Sequence, residues 1–379
     1  MIDRHRTNGA QSTAAFFLVI LIIVALITHW IDVTRDVVTI WGILQLLRLY
    51  PGRIPDLDLM FECGDKPVIT KHDFRANGGP TPPPVFHYCG DESSYDIVFP
   101  DWSFWGWPEL NIKPWEELKE DLKEGNRRIK WEERQPYAYW KGNIFLGAAR
   151  HDLVRCNASD GEDWQARIFK TDWYQEKRQG FNNANLASQC NYRYKIYVEG
   201  VSWSVSEKYI LACDSMSLII KPRYYDFFSR SLLPSIHYWP VNEHDKCRSI
   251  KFAVEWGNNY TKKAQEIGRA GSKFIQENLE MEHVYDYMFH VLTEYAKLLK
   301  YKPTVPKEAV EVCPETSICS VKGSRKRFRI HSMVKSPSDS LPCNLPPAYE
   351  PAALRDFLEK KENLTKQVRL WEESRKFRK

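Results

Sequence analysis

Leu57 to Cys63 reads as a short buried strand, and Gly64-Asp65 follows it directly. In open α/β sheets ligands and catalytic groups gather at the carboxyl ends of strands, so Asp65 is placed to move a proton. An Asp there serves equally as a turn former or a helix cap. Gly64 beside it has no side chain to obstruct an approaching acceptor. A second candidate lies between Gln189 and Pro222. Arg193 to Val198 alternates as a strand does, Gly200 permits a tight turn, and Ser202, Ser204 and Ser206 follow. Val205, Tyr209, Ile210 and Cys213 then share one helical face, and Ser217 to Ile220 is a further apolar strand. Strand, glycine turn, helix, strand is half of a doubly wound sheet. Its turn offers backbone N–H groups and hydroxyls where a diphosphate is well bound, although any α/β crossover has the same outline. Lys141 and Arg150, after the predicted strand Tyr137 to Trp140, either meet a phosphate or stay solvated.

The elements that position these residues follow in order. Val37 to Tyr50 has helical spacing and ends at Pro51-Gly52. Val85 to Cys89 and Asp96 to Pro100 read as strands after a proline-rich loop. Trp102, Trp105 and Trp107 crowd one segment, which makes either a groove lining or a packed satellite core. A charged helix, Pro114 to Ile129, precedes a domain boundary near Glu132 to Gln135. In the second half, Ile236 to Val241 is a strand, Cys247 to Glu277 supplies two helices, and Met281 to Leu299 carries one continuous apolar stripe. From Lys302 the chain is rich in Pro and Ser, with a basic run from Lys322 to Lys335. It reads as a loose appendage ending in a charged helix from Pro351 to Lys379.

Composition narrows the class. At 379 residues the chain holds two domains, and a net charge of +5 is too small and too C-terminal for a nucleic-acid footprint. Fourteen Trp and nineteen Tyr suit clefts that stack on sugars or bases as well as large cores. Ala14 to Ile27 is an unbroken apolar run of fourteen, preceded by Arg4, His5 and Arg6 and followed by no small-residue cleavage site. It reads as an uncleaved signal anchor over 14–31, with residues 1–13 cytoplasmic and the rest lumenal. Acceptor tripeptides at Asn157, Asn259 and Asn363 suit a secretory route, as do nine cysteines without a CxxC metal pattern. No metal site is expected.

Gly52-Arg-Ile-Pro-Asp-Leu-Asp-Leu59 with Gly64-Asp65, then Trp102-Ser-Phe-Trp105, Tyr139-Trp-Lys-Gly142 and Tyr192-Arg-Tyr-Lys195 through Gly200 to Cys213, resemble the Rumi-type protein O-glucosyltransferases. These stand with the capsule-associated xylosyltransferases in glycosyltransferase family 90, and the chain is similar to the plant-type branch from about Val37 to Tyr301. The resemblance implies an α/β GT-B fold of two Rossmann-like domains facing a cleft. Here they would span 37–134, on the acceptor side, and 135–301, on the donor side, with an irregular extension over 302–379. It implies inverting transfer of glucose or xylose from a UDP-sugar to a hydroxyl of a protein or polysaccharide, without a metal or cofactor, in the endoplasmic reticulum or Golgi. Asp65 matches the general base. Ala138, Asn143, Arg150 and Val201, Ser202, Trp203, Ser204, Val205 and Ser206 match donor-binding segments. Trp107, Pro108, Glu109, Leu110 and Asn111 match the acceptor-side loop, next to Gly64. The family also pairs cysteines at positions matching Cys190 and Cys213, where a strand folding back beside its helix brings them together. Two departures favour an alternative, an inactive sugar-nucleotide or glycan-binding member: Ser206 stands where the animal enzymes place an Arg, and the segment before the Val37 helix is short.

Overall fold

A computed structural model describes residues 35–74, 80–159, 161–181 and 185–376. The expected anchor over 14–31 lies outside them, and among the described residues no helix is long and apolar enough to cross a membrane.

Two parallel sheets organise the chain. The first joins β1 (Met60–Phe61), β2 (Val85–His87) and β3 (Ile97–Val98) in sequential order, with Met60 opposite Val85 and Phe86 opposite Ile97. β1 is shorter than the apolar stretch around it because Glu62 turns its carboxylate back onto the Gly64 N–H, 2.8 Å away, and ends the strand. The helix Arg35–Leu49 covers this sheet, and its Trp41 and Leu46 share a core with Phe86, Tyr88 and Phe99. A second helix, Trp115–Arg128, buries Trp115, Leu118 and Leu122 at helical spacing in the same core.

The second sheet has five strands: β4 (Gln135–Gly142), β5 (Ala166–Lys170), β6 (Tyr192–Tyr197), β7 (Met216–Ile220) and β8 (Trp239–Val241). Their order is β5-β4-β6-β7-β8, every neighbouring pair parallel. β7 is buried along its whole length, as expected of a strand covered on both faces. The winding changes direction between β4 and β6, and in doubly wound sheets the crevice at that point holds the ligand. The helices Lys246–Asn259 and Thr261–Asn278 back this sheet.

Two expectations change. The helix Met281–Leu298 does not complete the second domain; its stripe of Val284, Tyr285, Met288, Leu292 and Tyr295 packs into the first core, with Tyr295 edge-on to Phe86 at 5.1 Å. An apolar stripe fixes that a helix is buried but leaves open the sheet that buries it. The segment after Lys302 is also more ordered than its composition implied, since besides the expected last helix, Pro351–Lys376, it contains the helices Pro314–Cys319 and Gly323–His331. It docks first on the leading helix, where Trp41 Nε1 donates to Ser332 Oγ at 3.0 Å and Val334 N–H donates to Gln45 at 2.9 Å. It then reaches the second sheet, where Val368 is buried and Trp371 stacks beside Trp239 and Trp256.

Two disulfides close loops on the five-stranded side, Cys190–Cys213 as the resemblance implied and Cys156–Cys247 in addition.

Candidate active site

On the three-stranded side Asp65 stands just past β1, with its side chain 44% exposed. Arg35, at the start of the first helix, donates from Nη1 to Asp65 Oδ1 at 2.8 Å and lays its guanidinium 4.5 Å from the centre of the Trp102 ring. The carboxylate end of the pair is open to solvent, so its contribution to stability is modest; its effect is to fix the direction of the carboxylate. Behind Asp65 sits the buried Cys89 thiol, whose Sγ–H reaches the Asp65 carbonyl at 3.5 Å. Burial pushes that thiol well up, while the Trp203 backbone and the Ser202 side chain hydrogen-bond to it and oppose the shift. Cys89 is thus the link between the Asp65 turn and the Val201–Ser206 turn of the other sheet.

A buried ion pair makes a second link. Lys208, from the helix Ser206–Leu211, donates to Asp101 Oδ2 at 3.0 Å and to Ser103 Oγ at 2.8 Å, both just past β3. Burial works against its charge, but the Asp101 carboxylate, with Tyr209 and Asp226, outweighs burial and raises its pKa. Trp203 closes the junction, its indole 6.0 Å from Trp102 and 5.8 Å from Tyr88.

On the five-stranded side, Arg150 occupies the crevice where the winding reverses. Only 9% exposed, it donates to the Asn143 carbonyl after β4, and to the Glu199 carbonyl and Ser204 Oγ after β6, at 3.4, 3.1 and 3.1 Å. None of these partners is anionic, and burial lowers its pKa. A desolvated guanidinium without a counter-charge is a strong anion site. The two loops touch because of Gly147: at φ +151°, a Cβ there would lie 2.4 Å from the Gly200 carbonyl oxygen. Ser204 and Ser206 hydroxyls meet at 2.9 Å beside Arg150.

The donor-side residues are only partly gathered. Asn143, Arg150, Ser204 and Ser206 converge, Val201 is exposed next to them, and Val205 is half-buried. Ala138 is not at the loop edge; it is sealed in the middle of β4 opposite Ala166 and Tyr194. Trp203 is spent on packing against the other sheet, and Lys141 is held by Glu176 at 3.3 Å. On the acceptor side, the space above Gly64 is filled by the Glu62 carboxylate, 2.9 Å from where a Cβ would be. Trp102 and Trp105 are core, while Trp107 is half-buried, so the cluster is mostly packing with one ring at its edge. The loop from Trp107 to Asn111 is a one-turn bend over Pro108–Leu110, closed by paired backbone bonds between Trp107 and Ile112. Glu109 is paired with Arg325 of the C-terminal segment at 2.9 Å.

Of the glycosylation candidates, Asn259 and Asn363 are exposed, whereas Asn157 is half-buried and its amide oxygen accepts from the Ile168 N–H at 2.9 Å. Sequence reading missed Arg35, Cys89 and the Lys208–Asp101 pair, because each depends on a partner far along the chain. It also missed Phe145, 82% exposed on the loop after β4, where only its apolar neighbours masked it.

A carboxylate at one sheet's edge is thus joined through Cys89 to the turn that holds a buried cation in the crevice of the other. The chain matches the model for glycosyl transferase family 90 over residues 1–372. It belongs to that family and is a sugar-transferring enzyme. Among curated proteins it is similar to the O-glucosyltransferase rumi of Drosophila melanogaster, 24% identical over 72% of this chain and 68% of that one. It is also similar to Protein O-glucosyltransferase 1 of Rattus norvegicus, 26% identical over 72% and 69%, and of Homo sapiens, 25% over 70% and 68%.

Proposed function

We propose that the enzyme is an inverting, metal-independent glycosyltransferase of GT-B type that moves glucose or xylose from a UDP-sugar to an acceptor hydroxyl. The observation that carries this reading is Arg150, a buried cation facing carbonyls and hydroxyls at the switch point of a doubly wound sheet. The UDP diphosphate supplies the missing counter-charge there. An acceptor oxygen attacks the anomeric carbon, Asp65 takes its proton, and the bond to the diphosphate breaks with its electron pair leaving on UDP. Arg150 and the Ser204 and Ser206 hydroxyls stabilise that growing charge. Arg35 holds the Asp65 carboxylate in orientation for the proton. Phe145, whose N–H donates to Asn143 Oδ1 at 2.9 Å, offers an exposed ring on which the uracil stacks.

The relatives' names point to glucose and to protein as acceptor. The two disulfides and the exposed Asn259 and Asn363 support a lumenal location behind a single N-terminal anchor. A second reading, a binder without turnover, is favoured by Ser206, which leaves Arg150 as the one guanidinium in the turn's hydrogen-bond network among the described residues. The test is UDP release by the lumenal chain with UDP-glucose and UDP-xylose, with and without EDTA. We expect release from one of the two, unaffected by the chelator. Tight UDP binding without release from either would establish the second reading instead.

A further inference from the structure

A cavity of about 680 Å³ lies on the β7 side of the junction, within the size range of small-ligand sites. Neither Asp65 nor Arg150 lines it. Its walls come from both sheets, with Asp91 to Ser93 after β2 and Lys221 to Tyr225 after β7, and from Lys361 of the C-terminal helix. Several wall charges have partners. Arg223 pairs with Asp91 at 2.9 Å, Lys221 lies 3.7 Å from Glu243, and Lys361 donates to the Arg230 carbonyl at 2.9 Å.

Glu207 differs from these pairs. It is 4% exposed, lines the cavity, and has no hydrogen-bond partner for its carboxylate among the described residues. Burial above all, then the Asp226 and Glu199 carboxylates, push it well above the ordinary carboxylate range, against the pull of Lys208 and Lys361. An uncharged acid both donates and accepts, as a sugar hydroxyl does. Tyr224, Tyr225 and Tyr238 add ring faces with polar tips. The cavity also adjoins the candidate active site: Gly90 and Tyr225 exchange backbone hydrogen bonds at 2.9 Å, and the neighbouring Cys89 touches the Asp65 carbonyl.

We propose that this cavity is a saccharide subsite, holding neutral sugar units of a glycan acceptor some distance along the chain from the hydroxyl that reacts. The inference rests on the sugar-transfer reading and sharpens it, since it makes the acceptor a carbohydrate and not a bare polypeptide. The orphaned Glu207 carboxylate is the recognition group and the tyrosines are the platform.

The experiment titrates β-linked hexasaccharides of xylose, glucose, mannose and galactose into the full chain, and UDP separately. At least one hexasaccharide is expected to bind without competition from UDP. Glu207→Ala should weaken it about tenfold or more while leaving UDP affinity unchanged. Tyr238→Phe, which keeps the ring, serves as the second variant if Glu207→Ala melts early. No binding by any hexasaccharide, equal binding by both variants, or displacement by UDP overturns the subsite. Hexasaccharide binding in a chain that does not bind UDP would leave the subsite standing and remove the donor reading alone.

Discussion

The two sheets present their functional groups in opposite ways. Asp65 stands at an open edge of a sheet of two- and three-residue strands, 44% exposed and steered by one guanidinium. Arg150 is sunk to 9% exposure in a five-stranded sheet, held by loops from two strands, and its nearest strand-end segment, β6 to the helix Ser206–Leu211, is pinned by Cys190–Cys213. A base must meet varied acceptors and exchange its proton with water, so an accessible carboxylate serves it. A phosphate site gains from desolvation, because charge-assisted hydrogen bonds strengthen as water is excluded. On the proposed reading, the contrast assigns the constant, donor half of the reaction to the five-stranded sheet and the variable, acceptor half to the short-stranded one.

The sharpest way to break this division is Asp65→Asn. Transfer should fall by roughly 10²–10⁴-fold, as when a general base is lost, while thermal stability stays near that of the parent. Unchanged turnover would move the base elsewhere, with Glu109 the next carboxylate to examine. Stability should respond in the other sheet. In the chain-entropy view, removing Cys156–Cys247, which spans 91 residues, costs more than removing Cys190–Cys213, which spans 23; the estimates are about 5 and about 3 kcal/mol. Melting of the paired Cys→Ser variants should follow that order, and the reverse order would mean that the shorter bridge carries more than loop closure.

A smaller effect comes from Lys195 on β6, buried against Cys213 with Nζ 3.3 Å from its sulfur. Burial, and after it Arg134, pushes its pKa down to about 7, against about 10.4 in an unfolded chain. Between those values the unfolded chain binds the extra proton, so stability rises with pH from about 7 to about 10. Lys195→Met should therefore raise the melting temperature most near pH 7, with the gain shrinking towards pH 10. A gain independent of pH would mean that packing, not charge, is responsible. The smallest change belongs to Arg325→Ala at the acceptor loop, where a partly exposed pair with Glu109 is worth about 1 kcal/mol or less.

Legibility followed the range of the interactions. The β6 strand, its turn, the following helix and β7 were all readable, because alternation, Gly200 and helical spacing act within a few residues. The parallel α/β class and the family followed from those motifs. The destination of the helix Met281–Leu298 was not readable, since its stripe suits either core, and Ala138 could be matched to a motif without revealing that it lies inside the sheet. Arg35 and Cys89 acquire meaning only from Asp65, Trp102 and Trp203, which the fold brings to them. The last helix was read from Pro351, but the docking of the C-terminal segment was hidden because its anchors, Phe328, Val368 and Trp371, are isolated apolar residues in a charged background.

The central claim, a nucleotide site and a proton acceptor on separate sheets, is tested most directly by calorimetric titration of UDP into the parent, Asp65→Asn and Arg150→Met chains. The account predicts that Asp65→Asn binds UDP as the parent does, and that Arg150→Met loses roughly ten- to a hundredfold in affinity through the missing charged hydrogen bonds. Full UDP affinity in Arg150→Met, or its loss in Asp65→Asn, would contradict the account.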